Sequence, residues 1–267
     1  MEPIRVVVHG ASGKVGRELV NALCSEPDLE IVGAVDIKAT GDSLPLPDGS
    51  GKIPFSSDID KILDDCHADV IVDFSLAKAT MQVVRAAAKK SVALVIGTTG
   101  LTADDRDEME RLAKENNIGI IMAPNFALGA VLMMHLSKIA ARYMDYAEII
   151  EMHHHLKADA PSGTAKLTAK AMVEARGKPF SRPQEGEQVP ESRGENVESV
   201  SVHAVRLPGL MAHQEVILGT AGQVLTIRHD TINRECYIPG VFLAVREVIK
   251  RQGLTYGLDV LLDLQEE

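Results

Sequence analysis

Between residues 4 and 122 the chain alternates short apolar runs with longer amphipathic stretches. The runs cover 4–8, 30–35, 69–73, 92–96 and 118–122. Each is rich in Val and Ile and almost unbroken in hydrophobicity, the pattern of a strand covered on both faces. The stretches 13–24, 76–90 and 102–116 repeat their apolar residues at helical spacing, and the last opens with Thr102, Asp104 and Asp105, a cap and two first-turn acids. Strand alternating with helix predicts a parallel, doubly wound α/β sheet.

The rhythm changes after Pro124. A helix over about 129–143 leads into a strand over 147–154, a helix over about 162–175, and a Gly/Pro/Glu-rich loop running to Glu195. Three strand-like runs follow, 197–206, 213–218 and 224–229, with glycine-bearing breaks that predict an antiparallel meander. A final amphipathic helix over 239–251 and an apolar tail over 258–264 resemble the first half again. The layout is therefore read as discontinuous, with residues 1–125 and 236–267 in one domain and 126–235 in a smaller α+β domain.

Composition narrows the classes. The 267 residues carry 28 Lys+Arg against 38 Asp+Glu, a net charge of −10, with five Phe, four Tyr and no Trp. A core must then be built mainly from Val, Ile, Leu, Ala and Met. An acidic chain without a basic run has no surface for counterion release, which argues against a nucleic-acid partner. No stretch approaches the roughly 18 apolar residues of a membrane span, and the first residues lack the basic and apolar regions of a secretory signal. Cys24, Cys66 and Cys236 are odd in number and share no ligand spacing, so neither a disulfide framework nor a zinc site is expected, and a reducing cytoplasm fits best.

Two constellations carry chemistry. Directly after the first strand, Gly10-Ala11-Ser12-Gly13-Lys14-Val15-Gly16 forms a G-x-x-G-x-x-G turn opening a helix, where glycines admit a pyrophosphate to free amides and the helix dipole. Asp36 ends the second strand at the spacing of an acid that binds a ribose 2′-hydroxyl. It would repel a 2′-phosphate; Lys38 either pairs with one or is a solvated loop lysine. NADH is expected to be used well and NADPH tolerated. Phe74, Gly97-Thr98-Thr99 and Ala123-Pro124-Asn125-Phe126 follow other strands at their carboxyl ends, where ligands bind in such sheets, and read either as ordinary turns or as contacts for ribose and nicotinamide.

The second constellation runs from Glu151 to Ala165 and contains His153, His154, His155, Lys157, Asp159, Pro161, Ser162, Gly163 and Thr164. Three readings compete: a zinc site, a polar strand end without a task, and a reactive pocket. In the last, His153 donates a proton, Lys157 is a second cation, and the amides of Ser162, Gly163 and Thr164 hold a substrate carboxylate at a helix start whose first turn accommodates Pro161.

The pattern E-x-H-H-x-x-K-x-D-x-P-S-G-T-A over these residues resembles the signature of the dihydrodipicolinate (4-hydroxy-tetrahydrodipicolinate) reductase family. The Gly10 turn, the Gly97 and Ala123 segments and the late Arg234 stand in that family's order. The resemblance implies a Rossmann-like nucleotide domain with a substrate and oligomerisation domain, in a homotetramer that reduces a cyclic dicarboxylate of lysine biosynthesis with NADH or NADPH. It makes His153 the proton donor, Lys157 a second one, and His154, Gly163 and Thr164 substrate-binding. Gly10 to Val15, Asp36, Gly97 to Thr99 and Ala123 to Phe126 would hold the cofactor. Several members carry Arg after the second-strand acid; Ile37 stands there here, which favours NADH. Another two-domain amino-acid dehydrogenase would share the Gly10 turn without needing the His153 pattern. A non-catalytic NADH sensor would more often carry a basic DNA-reading helix.

Overall fold

The structure is a computed structural model that describes residues 2–182 and 190–264; residues 183–189 of the expected Gly/Pro/Glu-rich loop lie outside the described residues. In chain order the elements are β1 (Ile4–His9), α1 (Lys14–Leu23), β2 (Leu29–Val35), β3 (Ser43–Pro45), β4 (Lys52–Ser56), α2 (Ile59–Asp65), β5 (Val70–Asp73), α3 (Ala77–Lys90), β6 (Ala93–Ile96), α4 (Ala103–Glu115) and β7 (Gly119–Met122). There follow α5 (Leu128–Ala141), β8 (Tyr146–His153), α6 (Gly163–Arg176), β9 (Glu195–Val197), β10 (Val200–Arg206), β11 (Ala212–Thr220), β12 (Gln223–Thr231), α7 (Ile238–Val248) and β13 (Gly253–Tyr256). The chain divides into two compact units, one up to Leu128 and again from Arg234, the other Gly129–Asn233.

The first unit is an eight-stranded sheet in the order β13-β7-β6-β5-β1-β2-β4-β3, parallel throughout except for β3 against β4. Its central strands are covered on both faces, which is why their sequences read as unbroken apolar runs. Val7, Ile71, Leu94, Ile96 and Ile120 bury against α2, α3 and α4 through Ile62, Met81, Val84, Ala87 and Met109. Strand alternation turns Val6, Val8, Val72 and Val95 to the other face, where α1 and α7 pack together and on the sheet. The strand order reverses between β1 and β5, so their carboxyl ends flank a switch point, the place where such sheets bind ligands.

The segment between β2 and β5 contains three elements that the apolar pattern does not announce. β3 and β4 carry Pro45 and Pro54, which mask a strand signal, and α2 has seven residues, too few to establish a period. It is fixed instead by its cap, the Asp58 carboxylate accepting from the amides of Asp60 and Lys61. The last helix stops at Val248 rather than 251, because the chain turns through Gly253 (φ +82°) to add β13 beside β7.

The second unit has a five-stranded sheet in the order β12-β11-β8-β10-β9. On one face Ala147, Ile149, Val200, Val202, Val216 and Leu218 bury against Met133 of α5 and Ala165, Ala169 and Met172 of α6. The expected meander is corrected here. β11 and β12 pair as an antiparallel hairpin and so do β9 and β10, but β10 does not pair with β11, because β8 lies between them, antiparallel to β11 and parallel to β10. The apolar runs locate the strands, but which of them closes both edges of β8 is settled by tertiary pairing.

Candidate active site

At the rim of the first unit, β1 passes straight into α1. Gly10 adopts φ +84°, and a Cβ there would lie 2.4 Å from the carbonyl oxygen of Phe74; a Cβ on Gly16 would lie 2.1 Å from that of Gly10. Glycine alone fits this close approach of helix and strand. The turn does not leave all its amides open, however. Gly10 and Ala11 donate to Val35 O, Gly13 donates to Gly10 O, and Ser12 donates to the Asp36 carboxylate at 2.8 Å. What remains for an anion is the start of α1, at Lys14 and Val15, over which no side chain caps.

Asp36 stands at the end of β2 as the spacing predicts, 8% exposed, its second oxygen accepting from the amide of Lys38 at 2.9 Å. Ile37 and the Lys38 side chain point outward. Phe74 rests where a side chain on Gly97 would be, since a Cβ there would come 2.2 Å from its ring. The Phe126 ring lies 5.7 Å from that of Phe74 at an interplanar angle of 58°, and it is buried, supporting Phe74 from the core side. Ala123 is buried, Pro124 and Thr99 are exposed, and Asn125 Oδ1 accepts from the Ala127 amide, leaving its NH2 unspent on that bond. Arg234 is half-buried in a 3-10 turn. A glycine-lined helix start and an acid at the end of β2 fit a dinucleotide, with the half-buried Phe74 ring at the same rim.

The Thr98 hydroxyl turns inward. It donates to Asp73 at 2.8 Å and accepts from the amide of Ser75. Asp73 is wholly buried and also accepts from His9 Nδ1, Ser75 Oγ and Thr80 Oγ1 at 2.5, 2.6 and 2.5 Å. This carboxylate ties the end of β1 and the start of α3 to the loops after β5 and β6, and sequence reading passed it over. Its signal was an acid ending an otherwise apolar buried strand.

In the second unit, strand period 2 places Ala147, Ile149, Glu151 and His153 on the helix-covered face of β8. Glu151 is completely buried. It accepts from His153 Nδ1 at 2.6 Å, from both terminal nitrogens of Arg206 at 2.8 Å, and from the amide of Ser162 at 2.9 Å. Burial pushes its carboxyl up, but the donors from His153, Arg206 and Ser162 outweigh that and bring it down to about 2. Arg206 reaches Glu151 because β10 pairs with β8 in a register that sets it beside His153. Neither Arg206 nor a task for Glu151 was assigned from sequence; 55 residues separate the two.

The helix start is more specific than the spacing alone indicated. Ser162 is the N-cap, its Oγ accepting from the Ala165 amide, and Pro161 precedes the cap instead of sitting in the first turn. With the Ser162 amide on Glu151, the amides facing outward are those of Gly163 and Thr164; a Cβ on Gly163 would meet nothing within 4 Å. Lys157 sits in the turn between strand and helix, its Nζ 2.6 and 2.8 Å from the Asp159 carboxylate. His154 is half-buried past the strand end and His155 is exposed. Among the described residues no group of His, Cys, Asp and Glu is arranged to hold a metal ion.

Comparison with known proteins identifies the family of the chain. Two family models match, Dihydrodipicolinate reductase, N-terminus, over residues 4–126, and Dihydrodipicolinate reductase, C-terminus, over residues 129–262. A 4-hydroxy-tetrahydrodipicolinate reductase of Dehalococcoides mccartyi is 55% identical over 264 residues, covering 99% of this chain and 100% of that protein. One of Dictyoglomus turgidum is 46% identical, covering 98% and 99%. The solved structure of a dipicolinate-bound dihydrodipicolinate reductase from Paenisporosarcina sp. TG-14 superposes with a TM-score of 0.86 at 37% identity, over 97% of this chain and 99% of that one. An amine dehydrogenase from Mycobacterium smegmatis, with a TM-score of 0.67 at 16% identity over 99% and 97%, shares the fold alone.

Proposed function

As the chain belongs to the dihydrodipicolinate reductase family, we propose that His153 of its second unit supplies the proton in the reduction of a cyclic dicarboxylate and that NADH is the preferred cofactor. The chain is an NAD(P)H-dependent oxidoreductase acting as a 4-hydroxy-tetrahydrodipicolinate reductase, and that reaction belongs to lysine biosynthesis through diaminopimelate. The observation that carries the finer reading is the Glu151–His153 pair beside the open amides of Gly163 and Thr164.

Gly163 and Thr164 bind one substrate carboxylate at the start of α6, where the helix dipole favours an anion, and His154 and Lys157 add positive charge to a chain of net charge −10. Lys157 leaves Asp159 for the substrate and grips a carboxylate or assists proton transfer. The chemistry that bound NADH or NADPH supplies is a hydride, taken by C4 of the dehydrated ring. His153 then protonates the resulting enamine. Lys14 and Val15 bind pyrophosphate, and Asp36 takes the ribose hydroxyls. With Ile37 beside it and no arginine there, Asp36 disfavours a 2′-phosphate. Phe74, Gly97, Asn125 and Phe126 line the nicotinamide end, and Arg234, which follows these motifs in the family's order, also contacts the cofactor. We place the enzyme in the cytoplasm as a homotetramer. Cys24, Cys66 and Cys236, which form no disulfide among the described residues, support the first.

The test is direct. Aspartate semialdehyde, pyruvate, a synthase and NADH are mixed with the protein, and loss of nicotinamide absorbance is followed. Turnover is expected with both cofactors and a higher kcat/KM for NADH; equal or greater efficiency with NADPH rejects the preference. His153→Ala should lower kcat by roughly 10²–10⁴ with little change in the KM for NADH. An unchanged kcat removes His153 from the reaction.

A further inference from the structure

Resting on the reading of His153 as proton donor, we propose that Glu151 is the positioning residue of this reaction: it fixes Nε2 as the imidazole nitrogen that gives up the proton, and Arg206 holds that carboxylate in place. An ionised carboxylate only accepts hydrogen bonds. All four contacts at Glu151 are donors: Arg206 Nη2 and the Ser162 amide on Oε1, His153 Nδ1 and Arg206 Nη1 on Oε2. Nδ1 of the neutral ring must therefore carry the hydrogen, which leaves Nε2 as the atom that is loaded and unloaded in turnover.

The same carboxylate links the proton donor to the substrate cradle. It binds the amide of the residue that caps α6, so the imidazole and the outward amides of Gly163 and Thr164 are referred to one anchor formed by β8, β10 and α6. The network also reaches the second cation. Arg206 Nη2 donates to the carbonyl oxygen of Asp159 at 2.6 Å, and the Asp159 carboxylate holds Lys157 Nζ. Arg206 thus fixes the turn that carries Lys157 as well as the acid that orients His153. A residue in this role changes the proton-transfer step while leaving the dinucleotide unit untouched.

The experiment combines steady-state kinetics with 15N NMR of histidine-labelled full-length protein, the His153 signal being identified by its loss in His153→Asn. In the wild type at high pH, His153 should show a protonated Nδ1 and an unprotonated Nε2. Glu151→Gln should lose that signature to a tautomer mixture, with kcat down roughly 10²-fold and the KM for NADH within twofold of wild type. A Glu151→Gln enzyme with wild-type kcat and an unchanged tautomer overturns the proposal. A wild-type ring protonated at Nε2 overturns it too, and because that reading needs no Glu151 variant it decides the matter even where Glu151→Gln fails to fold. Should His153→Asn keep full activity while the wild-type tautomer is as expected, the functional reading fails and the geometric assignment stands, so the two failures are distinguishable.

Discussion

At the scale of single residues, the second unit spends a fully buried carboxylate on holding one imidazole, and this has a measurable cost in acid. Glu151 is held at about 2, below the roughly 4.3 of an ordinary glutamate. A depressed carboxyl contributes stability that is complete above its unfolded value and is lost as pH falls towards its folded one, on the order of 3 kcal/mol in all. Urea titrations should therefore give a smaller unfolding free energy at about pH 3 than at about pH 6, with a flatter dependence in Glu151→Gln, which takes up no proton. Identical slopes in the two proteins would show that the acid loss arises elsewhere. The residues of this site divide by how far apart their partners lie. His153, Lys157, Gly163 and Thr164 were legible as candidates because type and spacing within 12 positions put an imidazole, a cation and a helix start side by side. Arg206 was not, because nothing in its own neighbourhood says that it will meet an acid 55 positions earlier.

At the scale of elements, β1, β2, β5, β6 and β7 and the helices α1, α3 and α4 emerge from the pattern within a residue or two of their observed ends. Burial on both faces makes each of those strands a short apolar run, so the local signal and the tertiary fate coincide. β3, β4, α2 and β13 escape because they are short or carry proline and draw their order from neighbours already in place. The junction of β1 and α1 allows a sharper test. Gly16→Ala puts a methyl group 2.1 Å from the Gly10 carbonyl oxygen, a backbone atom that cannot swing aside. The helix start must shift outward, so the Kd for NADH, measured by fluorescence titration, should rise at least tenfold. A variant that binds NADH as tightly as wild type would mean that the cradle tolerates a wider helix–strand gap than its packing indicates.

At the scale of the whole molecule, the side of the five-stranded sheet turned away from α5 and α6 supports the proposed homotetramer. Ile150, Met152 and Ile217 alternate with the buried positions of their strands, and Val224 near one end of the outer strand is 70% exposed. Sedimentation should give four times the chain mass of 28.8 kDa, and Val224→Glu should shift the distribution to smaller species. A monomeric wild type sinks that assignment. The sequence by itself determined the alternation that builds a parallel sheet, the glycine turn with its acid, and the histidine–lysine segment, because each is written in a window shorter than one supersecondary unit. Only the tertiary structure decided that β8 lies between β10 and β11, that Asp73 joins the end of β1 to the loops after β5 and β6, and that Glu151 meets both Arg206 and His153. Those are contacts between strands distant in the chain. Hydrogen-bond ladders choose such partners by register and burial, and no local periodicity encodes the choice.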